Sequence, residues 1–131
     1  MTSVWVAAGG AIGTLMRYWL NLLVTARFGE ALPWGTIAAN ITGSFVIGFF
    51  AALTEPGSRL SLPPDVRLFV LVGICGGYTT FSSFSLQTLT LFQTGHAERA
   101  IVNVLGSVLL CLIAVWVGYI LPTALPHARG I

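Results

Sequence analysis

Residues 73–85 read GICGGYTTFSSFS, and this stretch decides how the chain folds. Glycine disfavours a helix by about 1 kcal/mol relative to alanine, and hydroxyl side chains compete for backbone hydrogen bonds. The stretch lies inside the uncharged segment 68–97, which exceeds the roughly 20 residues needed to cross a bilayer. We therefore predict a membrane-spanning helix over 66–94 that is broken between Gly76 and Thr79, where exposed carbonyls could bind an ion. A continuous helix that packs through its glycines is the alternative.

The composition indicates a membrane protein. Of 131 residues, 56% are hydrophobic and 8% are charged, and the mean hydropathy is +0.89. A soluble domain carries about 25% charged residues, and so few charges cannot cover a surface without large apolar patches. These values exclude a nucleic-acid binder, a disordered tail protein and a typical cytosolic enzyme.

Three further stretches are long enough to cross the bilayer. Segments 31–54 and 100–128 carry no Asp, Glu, Lys or Arg, and segment 4–26 is interrupted only by Arg17. No basic segment precedes Val4, so we expect the first helix to stay rather than to be removed as a signal peptide. The prediction is an all-α protein with a single integral membrane domain, 1–131, and spans over 4–26, 34–54, 66–94 and 100–121.

The polar groups inside these spans favour a small anion. No Asp, Glu or Lys lies in a span, whereas proton-coupled transporters keep a carboxylate there. Hydroxyl and amide groups donate hydrogen bonds, and aromatic ring edges carry positive potential. Such groups, without a fixed charge, suit an anion that must leave again quickly. No hydrolase, zinc-protease or phosphate-loop motif occurs, so we do not expect an enzyme. The polar and aromatic candidates are Asn40, Thr79, Thr80, Phe81, Ser82, Phe84, Ser85, Asn103 and Ser107.

The arginines set no clear orientation in the membrane. An excess of Lys and Arg on one side would fix the orientation, but the two sides are nearly balanced. We therefore predict that single chains insert both ways and pair in opposite orientations. One side holds Arg59, Arg67 and Arg129, and the other holds Arg27 and Arg99, with Arg17 directed towards it.

Three motifs carry a family resemblance. They are GGAIGTLMRY at 9–18, GTIAANITGSFVIG at 35–48 and GGYTTFSSFS at 76–85. In this order, and with this length and span count, the chain resembles the Fluc family of fluoride channels, also called CrcB-like proteins. Tyr78 stands where the family often has Leu, and Ser83 stands where Thr is usual.

The resemblance implies an antiparallel homodimer in a bacterial inner membrane that exports cytoplasmic fluoride through two passive pores and so confers fluoride resistance. The pore residues at matched positions are Asn40, Phe81 and Phe84, with Thr80 and Ser82 beside them and Ser107 on a polar track. Asn103 and Cys111 are less typical of that track. Arg17 would lie near a vestibule, and the backbone carbonyls of Gly76 and Thr79 from both subunits would hold one structural sodium ion.

Two other interpretations remain open at this point. A small multidrug-type antiporter also has four helices, but it needs a carboxylate in the first span, which offers only Arg17. A non-transporting membrane subunit would use the same polar residues merely to hold its helices together.

Overall fold

The computed structural model describes residues 1–125, which form helices and contain no strand. The all-helical prediction is therefore confirmed. Arg129, which enters the predicted charge balance, lies outside the described residues. The helices are α1 (Thr2–Phe28), α2 (Trp34–Leu53), α3 (64–78), α4 (Phe81–Gln93) and α5 (Ala97–Ala124).

The helices form a multi-pass membrane protein. Among residues 1–125, three segments are long and apolar enough to cross a membrane: α2, the α3–α4 pair spanning Pro64–Gln93, and α5. Their exposed side chains include large apolar groups such as Val72, Leu109 and Trp116, as expected where lipid replaces water. α1 is 27 residues long, or about 40 Å, but Arg17 and Arg27 make it more polar than the other three.

α3 changes its winding along its length. It begins as an α-helix, Pro64–Leu68, and continues as a 7-residue π-helix, Phe69–Cys75. A last α-helical turn, Gly76–Tyr78, precedes two residues of extended backbone. Long π-helical segments are rare and often lie at functional sites, and this one leads directly into the break.

The break lies slightly later than the sequence predicts. Gly76 keeps a helical backbone with φ −65° and ψ −38°. The extended residues are Thr79, with ψ 160°, and Thr80, with ψ 119°. Gly77 stays helical because it serves helix packing: a Cβ atom there would lie 2.5 Å from the carbonyl oxygen of Gly10 on α1. Gly77 therefore permits a close approach of α1, and the two threonines after Tyr78 form the break.

α1 packs on the π-helix through small residues. Gly9 and Gly13, four residues apart on one face of α1, are both buried, so this pair of small residues admits another backbone. A Cβ atom on Gly9 would lie 2.5 Å from the carbonyl oxygen of Phe69 and 3.0 Å from the Cα atom of Gly73. The helix contact leaves no room for a methyl group.

α2 and α5 form the second close pair. Gly48 on α2 faces the backbone of Val115, and Gly118 on α5 faces the backbone of Phe45. α4 packs on α5, but its backbone does not closely approach α1 in the described part of the chain. The first turn of α4 therefore lies beside α2 and α5, with the break at its N-terminus.

Candidate functional site

The side chain of Asn40 holds the break in place from α2. Its Nδ2 atom donates to the carbonyl oxygen of Thr80 at 3.0 Å, and the Thr80 N–H donates to Asn40 Oδ1 at 2.7 Å. One amide thus pairs with both polar groups of an extended residue that has lost its helical partners.

The two threonines of the break stabilise the adjoining helix ends. The N–H and the hydroxyl of Thr79 both donate to the carbonyl oxygen of Cys75, at 3.0 and 2.9 Å. The hydroxyl of Thr80 accepts from the N–H of Ser83 at 3.2 Å and so caps the N-terminus of α4. The break is an ordered turn with defined partners.

A cavity of about 360 Å³ adjoins this turn. Its wall combines an amide, hydroxyls, a thiol, two phenyl rings and aliphatic side chains, and it contains no Asp, Glu, Lys, Arg or His. Such a wall can solvate a small anion through donors and ring edges without binding it too tightly. The wall residues are Asn40, Ser44, Ile47, Thr79, Thr80, Phe81, Phe84, Ser107, Val108, Cys111 and Leu112.

The structure brings most of the candidate pore residues together. Asn40, Thr80, Phe81, Phe84 and Ser107 come from three helices and the break, and all lie in the wall of this cavity.

Ser82 does not share the wall. It is exposed, and its hydroxyl lies 3.3 Å from that of Thr80. Thr79, which the resemblance assigns to a cation, lies in the wall, whereas Gly76 does not.

The two phenyl rings differ sharply in exposure. Their centroids are 5.3 Å apart, and their planes meet at 49°. Phe84 is only 8% exposed, whereas Phe81 is 76% exposed. Phe84 is therefore part of the packed interior, and Phe81 borders an uncovered side of the chain.

Sequence reasoning left Ser44 and Cys111 out of the candidate pore. Both line the cavity, and each follows a candidate residue by four positions: Asn40 in α2 and Ser107 in α5. Residues four apart lie on the same helix face, so this spacing was the signal that could have identified them.

Arg17 lies at a separate, smaller cavity of about 180 Å³. Its Nε atom donates to the carbonyl oxygen of Gly77 at 3.2 Å. The Oε1 atom of Gln87 in the same wall is buried and has no hydrogen-bond partner among the described residues. Ordered water commonly satisfies such groups. The other wall residues are Thr14, Tyr18, Asn21, Thr36 and Ser83.

Backbone carbonyls at the break lack donors within residues 1–125. The Thr80 N–H, which in a continuous helix would bond to Gly76, bonds to Asn40 instead. The carbonyl oxygens of Gly76, Tyr78 and Thr79 accept no hydrogen bond across the break, and the resemblance assigns the first and last of these to a cation. Residues 1–125 contain no cluster of three His, Cys, Asp or Glu, so backbone oxygens are the ligands that α3 offers to a cation.

Known proteins share this chain's sequence over nearly its whole length. The family model described as "CrcB-like protein, Camphor Resistance (CrcB)" matches residues 4–119. A protein of Rhodospirillum rubrum is 57% identical over 120 residues, which is 92% of this chain and 93% of that protein. One of Opitutus terrae is 50% identical over 127 residues, 97% and 96% of the two chains. One of Methylocella silvestris is 45% identical over 130 residues, 99% of each chain. All three are named "Fluoride-specific ion channel FluC".

Proposed function

The chain belongs to the CrcB-like protein family, and from that premise we propose that it is a fluoride channel that works as an antiparallel homodimer. The named relatives are ion channels and not enzymes. Their similarity covers more than nine tenths of the chain. Fluoride is therefore the transported ion, and its passage needs no chemical step.

The cavity at the break is the single observation that carries the proposal. Fluoride is small and strongly hydrated, so a pore must replace its water with several close, weakly positive contacts. The wall offers the second N–H of the Asn40 amide, which Thr80 does not use, and the ring edges of Phe81 and Phe84, and the hydroxyl of Ser107 can add a donor when it rotates towards the cavity. The absence of a fixed charge in this wall allows the ion to leave.

The positions of the carboxylates favour a passive channel over an exchanger. Among the described residues, Glu30 and Glu55 lie in loops, Asp65 begins α3 and Glu98 begins α5. None lies at the depth of the cavity, where an antiporter would need a carboxylate to exchange protons for its cargo. Fluoride thus moves down its own electrochemical gradient.

The exposed side of the chain around Phe81 and Gly76 favours the packing of a second copy. Phe81 is 76% exposed although it borders the cavity, so one chain alone leaves the cavity wall incomplete. Gly76 is also exposed, and a Cβ atom there would meet nothing within 4 Å. Within one chain nothing explains why Gly76 is glycine, whereas a second copy that packs on this face would.

Opposite orientations of the two copies follow from the charges. Arg59 and Arg67 lie at one end of the bundle, and Arg27 and Arg99 lie at the other, so neither direction of insertion is favoured. In this arrangement α1 is the fourth crossing, and Arg17 lies beside its own small polar cavity instead of facing lipid. Two antiparallel copies then supply two equivalent cavities.

A structural sodium ion fits the free carbonyls of the break. Hard cations prefer oxygen ligands, and the C-terminus of a helix carries partial negative charge. The carbonyl oxygens of Gly76 and Thr79 would hold the ion, and their counterparts in the second copy would complete the ligand set. When bound, sodium would neutralise these carbonyls and link the two copies without taking part in fluoride transfer.

The physiological role follows from acid chemistry. Neutral hydrogen fluoride crosses membranes and dissociates in the less acidic cytoplasm, which traps fluoride inside. A passive anion pore in the bacterial plasma membrane lets the inside-negative potential expel the trapped ion. The channel thereby lowers cytoplasmic fluoride and its toxicity.

Reconstitution in liposomes tests the proposal. Purified protein is incorporated into vesicles loaded with potassium fluoride or potassium chloride, and valinomycin is added so that potassium balances the charge. Ion-selective electrodes then follow anion release. We expect rapid fluoride release and little chloride release.

Two other results would contradict the proposal. Fluoride release that requires a proton gradient would indicate coupled transport. No release of either anion from vesicles that contain folded protein would indicate a non-transporting subunit. Cross-linking before reconstitution reports whether the active form contains two copies.

A further inference from the structure

Asn103 is the most completely buried polar side chain of the bundle. It is 1% exposed and is the largest fully buried side chain among residues 1–125. Burying an amide is costly unless each polar atom is paired. Asn103 lies on α5, one turn before Ser107, and it does not line the larger cavity. The role of Asn103 therefore depends on the residues with which it forms hydrogen bonds.

A chain of hydrogen bonds runs through Asn103 and joins two parts of the cavity wall. The Ser107 hydroxyl donates to Asn103 Oδ1 at 3.3 Å, and Asn103 Nδ2 donates to the Thr88 hydroxyl oxygen at 2.9 Å. Thr88 in turn donates to the carbonyl oxygen of Phe84 at 2.7 Å. The chain starts and ends at residues of the wall, Ser107 and Phe84, and it crosses from α5 to α4.

The direction of these bonds determines what Ser107 presents to the cavity. A serine hydroxyl has one proton, and here that proton is directed to Asn103 Oδ1. The cavity then meets only the lone pairs of Ser107, which repel an anion. To bind an anion, the hydroxyl must rotate away from Asn103. The 3.3 Å separation marks a long hydrogen bond that can be exchanged.

Thr88 fixes the orientation of the amide. Because it accepts from Nδ2, the Asn103 side chain keeps Oδ1 turned towards Ser107. A flipped amide would place an N–H group against the Ser107 hydroxyl and would remove the acceptor. The cross-helix bond therefore maintains the competition for the Ser107 proton.

We propose that Asn103 is a positioning residue for anion selection, which competes with the permeating anion for the Ser107 proton. This inference rests on the proposed function as a fluoride channel. Fluoride is a far stronger hydrogen-bond acceptor than chloride, so fluoride draws the proton from Asn103 and chloride does not. The same competition weakens fluoride binding and speeds its exit.

If Asn103 competes for the Ser107 proton, its loss should strengthen fluoride binding, whereas loss of a purely structural residue should not. Asn103→Leu keeps the number and branching of the side-chain heavy atoms but removes the competing acceptor, so the Ser107 proton stays available to the cavity. The half-saturating fluoride concentration should fall about fivefold, which corresponds to about 1 kcal/mol, the usual net contribution of one hydrogen bond. The ratio of fluoride to chloride permeability should fall as well. A purely structural role would leave the half-saturating concentration unchanged or raise it.

Currents across planar bilayers test this inference. Half-saturation comes from the current at increasing fluoride concentration, and the permeability ratio comes from the reversal potential with fluoride on one side and chloride on the other. Thr88→Val should shift both quantities in the same direction but by less. The double variant should not exceed Asn103→Leu alone, because both changes interrupt one chain of bonds. If Asn103→Leu does not assemble, Thr88→Val alone carries the test.

Thr90→Val is the matched control. Thr90 also lies on α4 and donates to the carbonyl four residues before it, Leu86, at 3.0 Å, but it makes no bond to Asn103. It should leave both quantities unchanged. In a Ser107→Ala background, Asn103→Leu should no longer lower the half-saturating concentration, since no serine proton remains to be released.

The outcomes separate this inference from the proposed function. Absence of any fluoride current in the unmodified channel would refute the function itself. If the unmodified channel conducts, an unchanged or higher half-saturating concentration in Asn103→Leu or Thr88→Val would overturn the role of Asn103. A shift that persists without Ser107 would overturn it too.

Discussion

Asn40 allows the break and the cavity to be tested by two substitutions that keep the number of side-chain heavy atoms. Asn40→Asp keeps an acceptor for the Thr80 N–H, at 2.7 Å in the unmodified chain, but it brings a negative charge into the cavity wall. Asn40→Leu brings no charge but removes both bonds to Thr80. We expect the Asp variant to be the worse conductor and the Leu variant to be the less stable protein.

The place of Asn40 in the cavity wall gives the size of the electrostatic effect. An anion in contact with that wall would lie about 4 Å from a carboxylate at position 40. Two like charges at about 4 Å repel by about 4 kcal/mol at an effective dielectric constant of about 20. Since about 1.4 kcal/mol is tenfold, fluoride occupancy should fall roughly 10³-fold.

The stability effect follows from the hydrogen bonds. Asn40→Leu leaves the N–H and the carbonyl of Thr80 without their partners. An unpaired half-buried polar group costs about 1–3 kcal/mol, so the loss for the two groups should total about 2–6 kcal/mol. Asn40→Asp loses only the donor to the Thr80 carbonyl and should lose about half as much.

Electrical recording and thermal unfolding in detergent measure the two effects separately. Current is the better readout of conduction, because neutral hydrogen fluoride crosses the lipid without carrying charge. A fluoride current in Asn40→Asp within tenfold of the unmodified channel would refute the placement of Asn40 at the ion's path. Equal stability of the two variants would refute its role in holding the break.

Four further outcomes are expected. Phe81→Ile and Phe84→Ile should each reduce the fluoride current at least tenfold by removing a positive ring edge. Only Phe84→Ile should lower stability, because Phe84 is 8% exposed and Phe81 is 76% exposed. Unchanged currents in both variants would mean that the rings serve only helix packing. Gly9→Ala should impair folding, because the new Cβ atom would lie 2.5 Å from a backbone oxygen of α3, whereas Gly10→Ala, whose Cβ atom would meet nothing within 4 Å, should be tolerated. Size-exclusion profiles compare the two variants, and equal profiles would contradict the close packing of α1 on α3. A C-terminal tag should be detected on both sides of the membrane, and lysines added to one loop should bias it to one side; detection on a single side in the unmodified protein would exclude dual insertion. Replacing sodium by a large organic cation should dissociate the dimer or stop the current, and an intact active dimer without sodium would rule out the structural ion.

The main features of the fold follow from the sequence because they depend on composition and spacing. Long charge-free stretches predict helices, and the four-residue spacing of Gly9 and Gly13 predicts close packing of α1. The position of the break is harder to infer. Gly76 and Gly77 are poor helix formers, yet both keep a helical backbone, Gly77 packs against Gly10 of α1, and the break lies at Thr79 and Thr80. Local propensity alone cannot reveal what a neighbouring helix will require.

The candidate site is only partly visible in the sequence, for a related reason. Residues such as Phe81 and Phe84 are recognisable from their motif and share one cavity wall. The partners of buried amides are not recognisable, because a hydrogen bond between distant helices leaves no periodic pattern. Asn40 holds a backbone 40 residues away, and Asn103 reaches Thr88 on the preceding helix. Only a three-dimensional arrangement identifies such pairs.

The π-helix has a consequence for how the length of this protein can vary during evolution. A π-helix holds more residues per turn than an α-helix, so loss of one residue between Phe69 and Cys75, with relaxation to an α-helix, would leave the helix beyond it in nearly the same orientation. Loss of a second residue would have no such compensation, and it would rotate Thr80 by about 100° away from Asn40. The length of α3 should therefore vary by at most this one residue, whereas longer insertions and deletions should accumulate in the loop between α2 and α3.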